Sequence, residues 1–321
     1  MTDNVRMQIG LGEIFSLLSA MTWAVGVILY RQLVRGLPAL TLNFNKNLLV
    51  LVMLVPLPFV LHGTASPWMP WSDALIAMAS GFLGIAVADT LYFVALARLG
   101  AGRMGVIGNA YSPMVIVLSL LWLGERMGPW QVAGFMLVMA GVLVIAKRPS
   151  PAPVVVGEPV PPPDPLPAPE PATAGKELGY ASAVLIGLGA IVLMAVAIVM
   201  VKPVLEAQML GWVTLLRVLG ALLGRIIIAA LRGQLELLRA RGRRIGWKML
   251  LLAAFFGQCL SMVLWLAGYK YAPASIAAVL NETASVFILL LAWWWLREPL
   301  GRRGIVGVAL TLPGVALMLM N

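Results

Sequence analysis

The chain has 321 residues, 61% hydrophobic and 11% charged, with mean hydropathy +0.95; a soluble domain of that composition would lack polar surface to cover itself, so lipid must be its solvent. Its net charge of +10 lies mostly in short stretches between apolar runs, where it reads as an orientation signal rather than a nucleic-acid footprint. With one cysteine, Cys259, and one histidine, His62, an internal disulfide and the usual zinc or haem ligand sets are excluded, and no cofactor is expected.

Asp3, Arg6 and Glu13 precede the first apolar run, which lacks the basic start and cleavage site of a signal peptide, so it is expected as a retained helix. Runs of spanning length follow at 11–30, 40–61, 73–97, 103–123, 128–146, 178–201, 209–231, 247–269, 273–296 and 302–320. The expected fold class is an all-α integral membrane protein with ten transmembrane helices. The short alternating segments of a membrane β-barrel are missing. Between the fifth and sixth runs, Pro161, Pro162, Pro163, Pro165, Pro167, Pro169 and Pro171 leave too few donors for a helix and too few apolar groups for a core. The expected organisation is therefore a first unit at 1–148, a linker at 149–177 and a second unit at 178–321.

Sliding the second unit back by 173 positions aligns Leu91, Ser112, Trp122, Leu123, Glu125 and Gly128 with Leu264, Ser285, Trp295, Leu296, Glu298 and Gly301. Gly134 and Gly141 then meet Gly307 and Gly314 without a gap. Five crossings per unit reverse the orientation of the second, which predicts an inverted repeat with substrate near the midplane between the halves. With Pro113 in the fourth helix, and Leu-Gly-Glu-Arg at 123–126 answered by Leu-Arg-Glu-Pro at 296–299, the chain resembles the EamA family of the drug/metabolite transporter superfamily. The resemblance covers all but the linker. It implies a ten-helix bundle around a central cavity and export of amino acids or other metabolites, and it says little about which one.

Arg31, Arg35, Arg98, Arg103, Lys147, Arg148 and the cations at 232–248 and 297–303 fall on one side of the membrane, against Arg6, Arg126, Lys202 and Lys270 on the other. The positive-inside rule then places both termini in the periplasm of a bacterial inner membrane protein. The resemblance implies cytoplasmic termini instead.

A charge deep in an apolar helix costs about 2.5–3.5 kcal/mol, so Lys46, Asp89, Arg217 and Glu282 are candidates for function. At about 1.5 Å per residue, Lys46 and Asp89 lie about 9 and about 12 Å from one side, and Arg217 and Glu282 about 12–14 Å from the other. Each couple is expected to pair. One polar cluster would hold Asn45, Lys46, Asp89, Asn109 and Tyr111, and a second Arg217, Gln258, Asn281, Glu282 and Thr283, with a cavity opening alternately between them. Arg217 and Glu282 would suit a zwitterion, the guanidinium meeting a carboxylate and the carboxylate an ammonium. Glu282 and Asp89 are candidate proton carriers. The bland reading of both couples is a lock between helices. Arg225, nearer a helix end, is expected to snorkel to the interface.

Trp23, Tyr92, Tyr111 and Trp265 could stack on substrate or simply pack, whereas Trp293, Trp294 and Trp295 fit an interfacial belt. Glu125 and Glu298 at equivalent helix ends read as fold determinants and gate contacts. Pro113 removes a backbone bond and allows a bend. The function expected is a secondary transporter of a small-molecule substrate. A broad drug efflux protein, a flippase or a channel stand as alternatives, a lipid enzyme lacks its catalytic set, and monomer and homodimer are both open.

Overall fold

The computed structural model describes residues 10–33, 39–62, 69–99, 107–146, 180–231, 233, 247–295, 297 and 301–320. The expected linker at 149–177, Glu298 and most of the loop cations lie outside the described residues. The described chain is helical: α1 (Leu11–Leu33), α2 (Ala39–Leu54), α3 (Leu57–His62), α4 (Trp71–Gly81), α5 (Ala88–Leu99), α6 (Tyr111–Leu118), α7 (Pro129–Ala146), α8 (Tyr180–Ala207), α9 (Leu210–Leu231), α10 (Trp247–Ala254), α11 (Ser261–Tyr271), α12 (Ala274–Asn281), α13 (Ala284–Trp295) and α14 (Arg302–Met318). Among the described residues, six stretches are long and apolar enough to cross a membrane: Leu11–Leu29, Trp71–Tyr92, Ala181–Ala207, Leu210–Leu231, Lys248–Tyr271 and Ala274–Trp295. Shorter apolar helices occupy Phe44–Val60, Tyr111–Leu123 and Pro129–Ile145.

Two kinds of interruption recur at matching places, while a third π-helical turn, Ser119–Leu123 after α6, has ordinary α-helix at the equivalent 292–295. A π-helical turn at Phe82–Val87 joins α4 to α5, and another at Phe255–Leu260 joins α10 to α11, 173 positions later. Such turns widen the backbone ladder and cluster at functional sites. Tight i→i+3 turns fall at Asn109–Ala110 (Ala110 N to Ile107 O, 3.0 Å) and at Glu282–Thr283 (to Val279 and Leu280 O, both 3.1 Å), again 173 apart. Pro113 has no N–H to offer the carbonyl of Asn109, which accounts for the first break.

Packing crosses between the two parts of the chain. Helix α1 lies against α11, α12 and α13, while α8 lies against α4, α5 and α6. Helix α8 buries Ala195, Ile198 and Val201 fully in these contacts. Helices α7 and α14 meet through glycines: a Cβ on Gly134 would stand 2.7 Å from Gly314 O, and one on Gly307 2.8 Å from Gly141 O. Only glycine allows that approach. Helix α9 sits equally close to α4, since a Cβ on Gly81 would overlap the backbone of Arg217.

Two lysines, Lys202 buried and Lys270 partly so, and a carboxylate close one end of the bundle. Lys202 Nζ donates to the C-terminal carbonyls of α11 at Tyr269 (2.8 Å) and Ala272 (3.0 Å). Lys270 Nζ returns the arrangement, donating to Leu205 O, Glu206 O (3.1 Å) and Gln208 O (2.8 Å) at the end of α8. Each lysine opposes the negative end of the other's helix. Lys202 is thus a buried helix residue at 4% exposure, which corrects its count among the loop cations. Glu125 accepts from Ala274 N (2.6 Å), Ser275 N (3.0 Å) and Ser275 Oγ (2.7 Å), capping the start of α12.

Candidate functional site

Two groups of polar side chains lie within the bundle, and their membership differs from the expectation. In the first, Lys46 of α2 donates from Nζ to Gln258 Oε1 at 3.0 Å, across to the π-turn before α11. Asp89 of α5 accepts from Arg225 Nη2 at 3.3 Å, and the same nitrogen donates to Ile85 O at 2.8 Å. Lys46 and Arg225 both act electrostatically on Asp89. Arg225 therefore points inward at 8% exposure and does not snorkel. The carbonyl of Ile85, inside the other π-turn, helps hold it there. Gln258 belongs with Lys46 rather than with Arg217.

The second group is built on Arg217 of α9, which is 2% exposed. Its guanidinium lies over the ring of Trp265, 5.4 Å from the centroid. Its Nε and Nη1 find no hydrogen-bond acceptor among the described residues. Trp265 packs edge-on against Tyr269 at 5.1 Å and 70°. The Tyr269 hydroxyl meets that of Tyr111 at 3.1 Å. Both tyrosines act electrostatically on Arg217 and both feel Glu282. Gly84, in the π-turn of the α4–α5 helix, lets α8 approach, since a Cβ there would stand 2.9 Å from Ala197 Cβ, with Arg217 Nη2 in ordinary contact at 3.8 Å.

Glu282 does not pair with Arg217, contrary to expectation. It stands at the break between α12 and α13, where its Oε1 accepts from Ser112 Oγ at 2.8 Å; that hydroxyl also lies 3.1 Å from Ala278 O. Depth along a helix sets the height of a charge and not its direction, so two charges at one depth can face different neighbours. Tyr111 accordingly joins Arg217 and not Lys46. Asn281 Nδ2 turns back to Ala277 O at 2.7 Å, and Thr283 Oγ1 to Leu280 O at 2.6 Å. Thr283 thereby uses its single donor locally, whereas Asn281 keeps a second amide hydrogen and its Oδ1. Asn109 lies in the matching break of the other part, with Nδ2 buried and without an acceptor among the described residues. Trp23 is 40% exposed, on the side of α1 that also carries buried Ser16 and Ser19 and opposite the outward stripe of Leu11, Ile14, Leu18 and Met21.

Tyr269, Ser112 and the Lys202–Lys270 caps were missed by sequence reasoning. A signal existed for Tyr269: Gln258, Trp265 and Tyr269 follow i, i+7, i+11, one face of a helix.

A family model described as EamA-like transporter family matches the chain twice, over residues 10–147 and 181–320. An uncharacterized transporter of Archaeoglobus fulgidus is 27% identical over 132 residues, 41% of this chain and 47% of that protein, so the match spans about half of that relative. A solved crystal structure superposes with a TM-score of 0.73 at 16% identity, covering 95% of both chains, and shares the fold. With family matches over both parts and apolar helices of spanning length, the chain belongs to the EamA-like transporter family and is a multi-pass membrane transport protein rather than an enzyme.

Proposed function

We propose that the protein is a secondary transporter that exports small organic metabolites, amino acids or related compounds, across a bacterial cytoplasmic membrane by alternating access. Its architecture in this reading is ten transmembrane helices in two inverted five-helix halves, 1–148 and 178–321, joined by the 149–177 linker around a central cavity, with both termini periplasmic. Support for the repeat comes from the two family matches and from π-turns and helix breaks that recur at one offset of 173.

The observation that carries the function is where the buried polar side chains meet. Lys46 reaches Gln258, Ser112 reaches Glu282, and Tyr111 reaches Tyr269, each joining one family-matched segment to the other. Polar groups placed in an apolar bundle at its moving interface suit a solute path better than a packed core. Asp89 and Glu282 are the carboxylates positioned to carry a proton in exchange, and Lys46, Asn109, Tyr111, Arg217, Trp265 and Asn281 are the remaining candidates to line the path.

The test is counterflow in proteoliposomes with a labelled panel of amino acids and other metabolites, comparing wild type with Glu282→Gln and Asp89→Asn. Flux of one solute class that disappears in folded Glu282→Gln supports transport through this interface. Absence of flux for every compound would overturn the reading in favour of a flippase or channel.

A further inference from the structure

Other charged groups in the bundle meet an opposite charge or a helix end: Arg225 Nη2 meets Asp89 and Ile85 O, Lys202 meets Glu206 and two carbonyls, and half-buried Glu125 caps the start of α12. Arg217 stands apart. It is 2% exposed, two of its three guanidinium nitrogens have no acceptor among the described residues, and the nearest carboxylate in sequence expectation, Glu282, is held by Ser112. A permanently charged guanidinium without a counter-ion in a low-dielectric interior is strongly unfavourable. The face of Trp265 offsets part of that cost and leaves the in-plane N–H donors open.

We infer that Arg217, Trp265, Tyr111 and Tyr269 form an anion site that takes the carboxylate of the transported solute, and that its occupation is what lets the bundle close around Arg217. The inference rests on the transport reading and names the substrate class for it. A planar carboxylate matches the planar guanidinium. The hydroxyls of Tyr111 and Tyr269, bonded to each other at 3.1 Å, can turn to donate to the same anion. The three aromatic rings provide an apolar wall for the body of the solute. Empty, the closed protein holds an uncompensated charge; loaded, it is neutral at that point. Passage with solute is therefore faster than return without it, and exchange outruns net flux.

The probe pair is 3-phenylpropionate and 3-phenylpropanamide, alike in shape and different in charge. Purified protein in detergent is expected to rise in melting temperature with the carboxylate and not with the amide, and the rise is lost in Arg217→Met. In proteoliposomes labelled 3-phenylpropionate should exchange against internal 3-phenylpropionate more than about tenfold faster than it leaves into empty buffer. Equal stabilisation by the two probes, or a carboxylate response that survives Arg217→Met, would overturn the site. Trp265→Phe gives a second variant: it keeps a ring beneath the guanidinium and should retain the charge preference with weaker binding. Stabilisation by the carboxylate without any flux would leave the anion site standing and sink the transport reading. Flux of amines or neutral solutes untouched by Arg217→Met would do the reverse.

Discussion

The two polar groups of the bundle treat their charges differently. Around Asp89, the chain supplies its own partners: Arg225 at 3.3 Å, with Lys46 close enough to act on the carboxylate and itself bonded to Gln258 at 3.0 Å. Around Arg217, the described residues supply aromatic rings and hydroxyls but no hydrogen-bonded anion. The first arrangement holds helices α2, α5, α9 and the α10–α11 π-turn together. The second is incomplete without a ligand. Substitutions in the two groups should therefore move stability in opposite directions.

The largest effect is expected at the matched group. Arg225→Met leaves Asp89 without its hydrogen-bonded cation, and removing one member of a buried pair costs about 3 kcal/mol or more. Asp89 is 29% exposed in its side chain, so the loss should fall toward the low end, read as a lower midpoint in chemical or thermal unfolding. Asp89→Asn should cost a similar amount by stranding Arg225. The pair Asp89→Leu with Arg225→Met should recover much of the loss, and additive losses would show that the two residues do not act as a unit. Next in size and opposite in sign, Arg217→Met replaces a bare cation by an apolar chain of like length and should stabilise the empty protein by about 1–3 kcal/mol while abolishing carboxylate flux.

Smaller changes sharpen the contrast. Glu125→Ala removes the acceptor for Ala274 and Ser275, and should cost about 1 kcal/mol with transport slowed rather than lost. Glu282→Gln keeps an acceptor for Ser112 Oγ, so unfolding should shift by less than about 1 kcal/mol even though counterflow is lost. A large destabilisation there would make Glu282 a helix lock.

The class of protein was legible early because apolar runs and the Trp-Leu-X-Glu-X-X-Gly recurrence depend on composition and spacing alone. Lys46, Asp89, Arg217 and Glu282 stood out for the same reason: a charge in an apolar run is visible without knowing its neighbours. The partners were not. Arg225 was read as snorkelling because it lies near a helix end, yet the Ile85 carbonyl in a π-turn and the Asp89 carboxylate draw it inward. Arg217 and Glu282 share a depth, and only the crossing of α6 and α12 shows that Ser112 reaches the carboxylate first. The π-turns carry no composition signal. Phe82–Val87 and Phe255–Leu260 look like ordinary apolar helix, and they shift every following side chain around the axis. That shift turns Gln258 toward Lys46, whereas Tyr111, in a separate helix, meets Tyr269 because depth left its direction open.

Arg217, in this reading, is a cation waiting for a solute's negative charge. The most direct measurement is the melting temperature of purified, ligand-free Arg217→Met beside wild type and Arg225→Met in the same detergent. Arg217→Met should melt above wild type and Arg225→Met below it. A fall in both, of comparable size, would show that Arg217 is satisfied within the chain and would contradict the account.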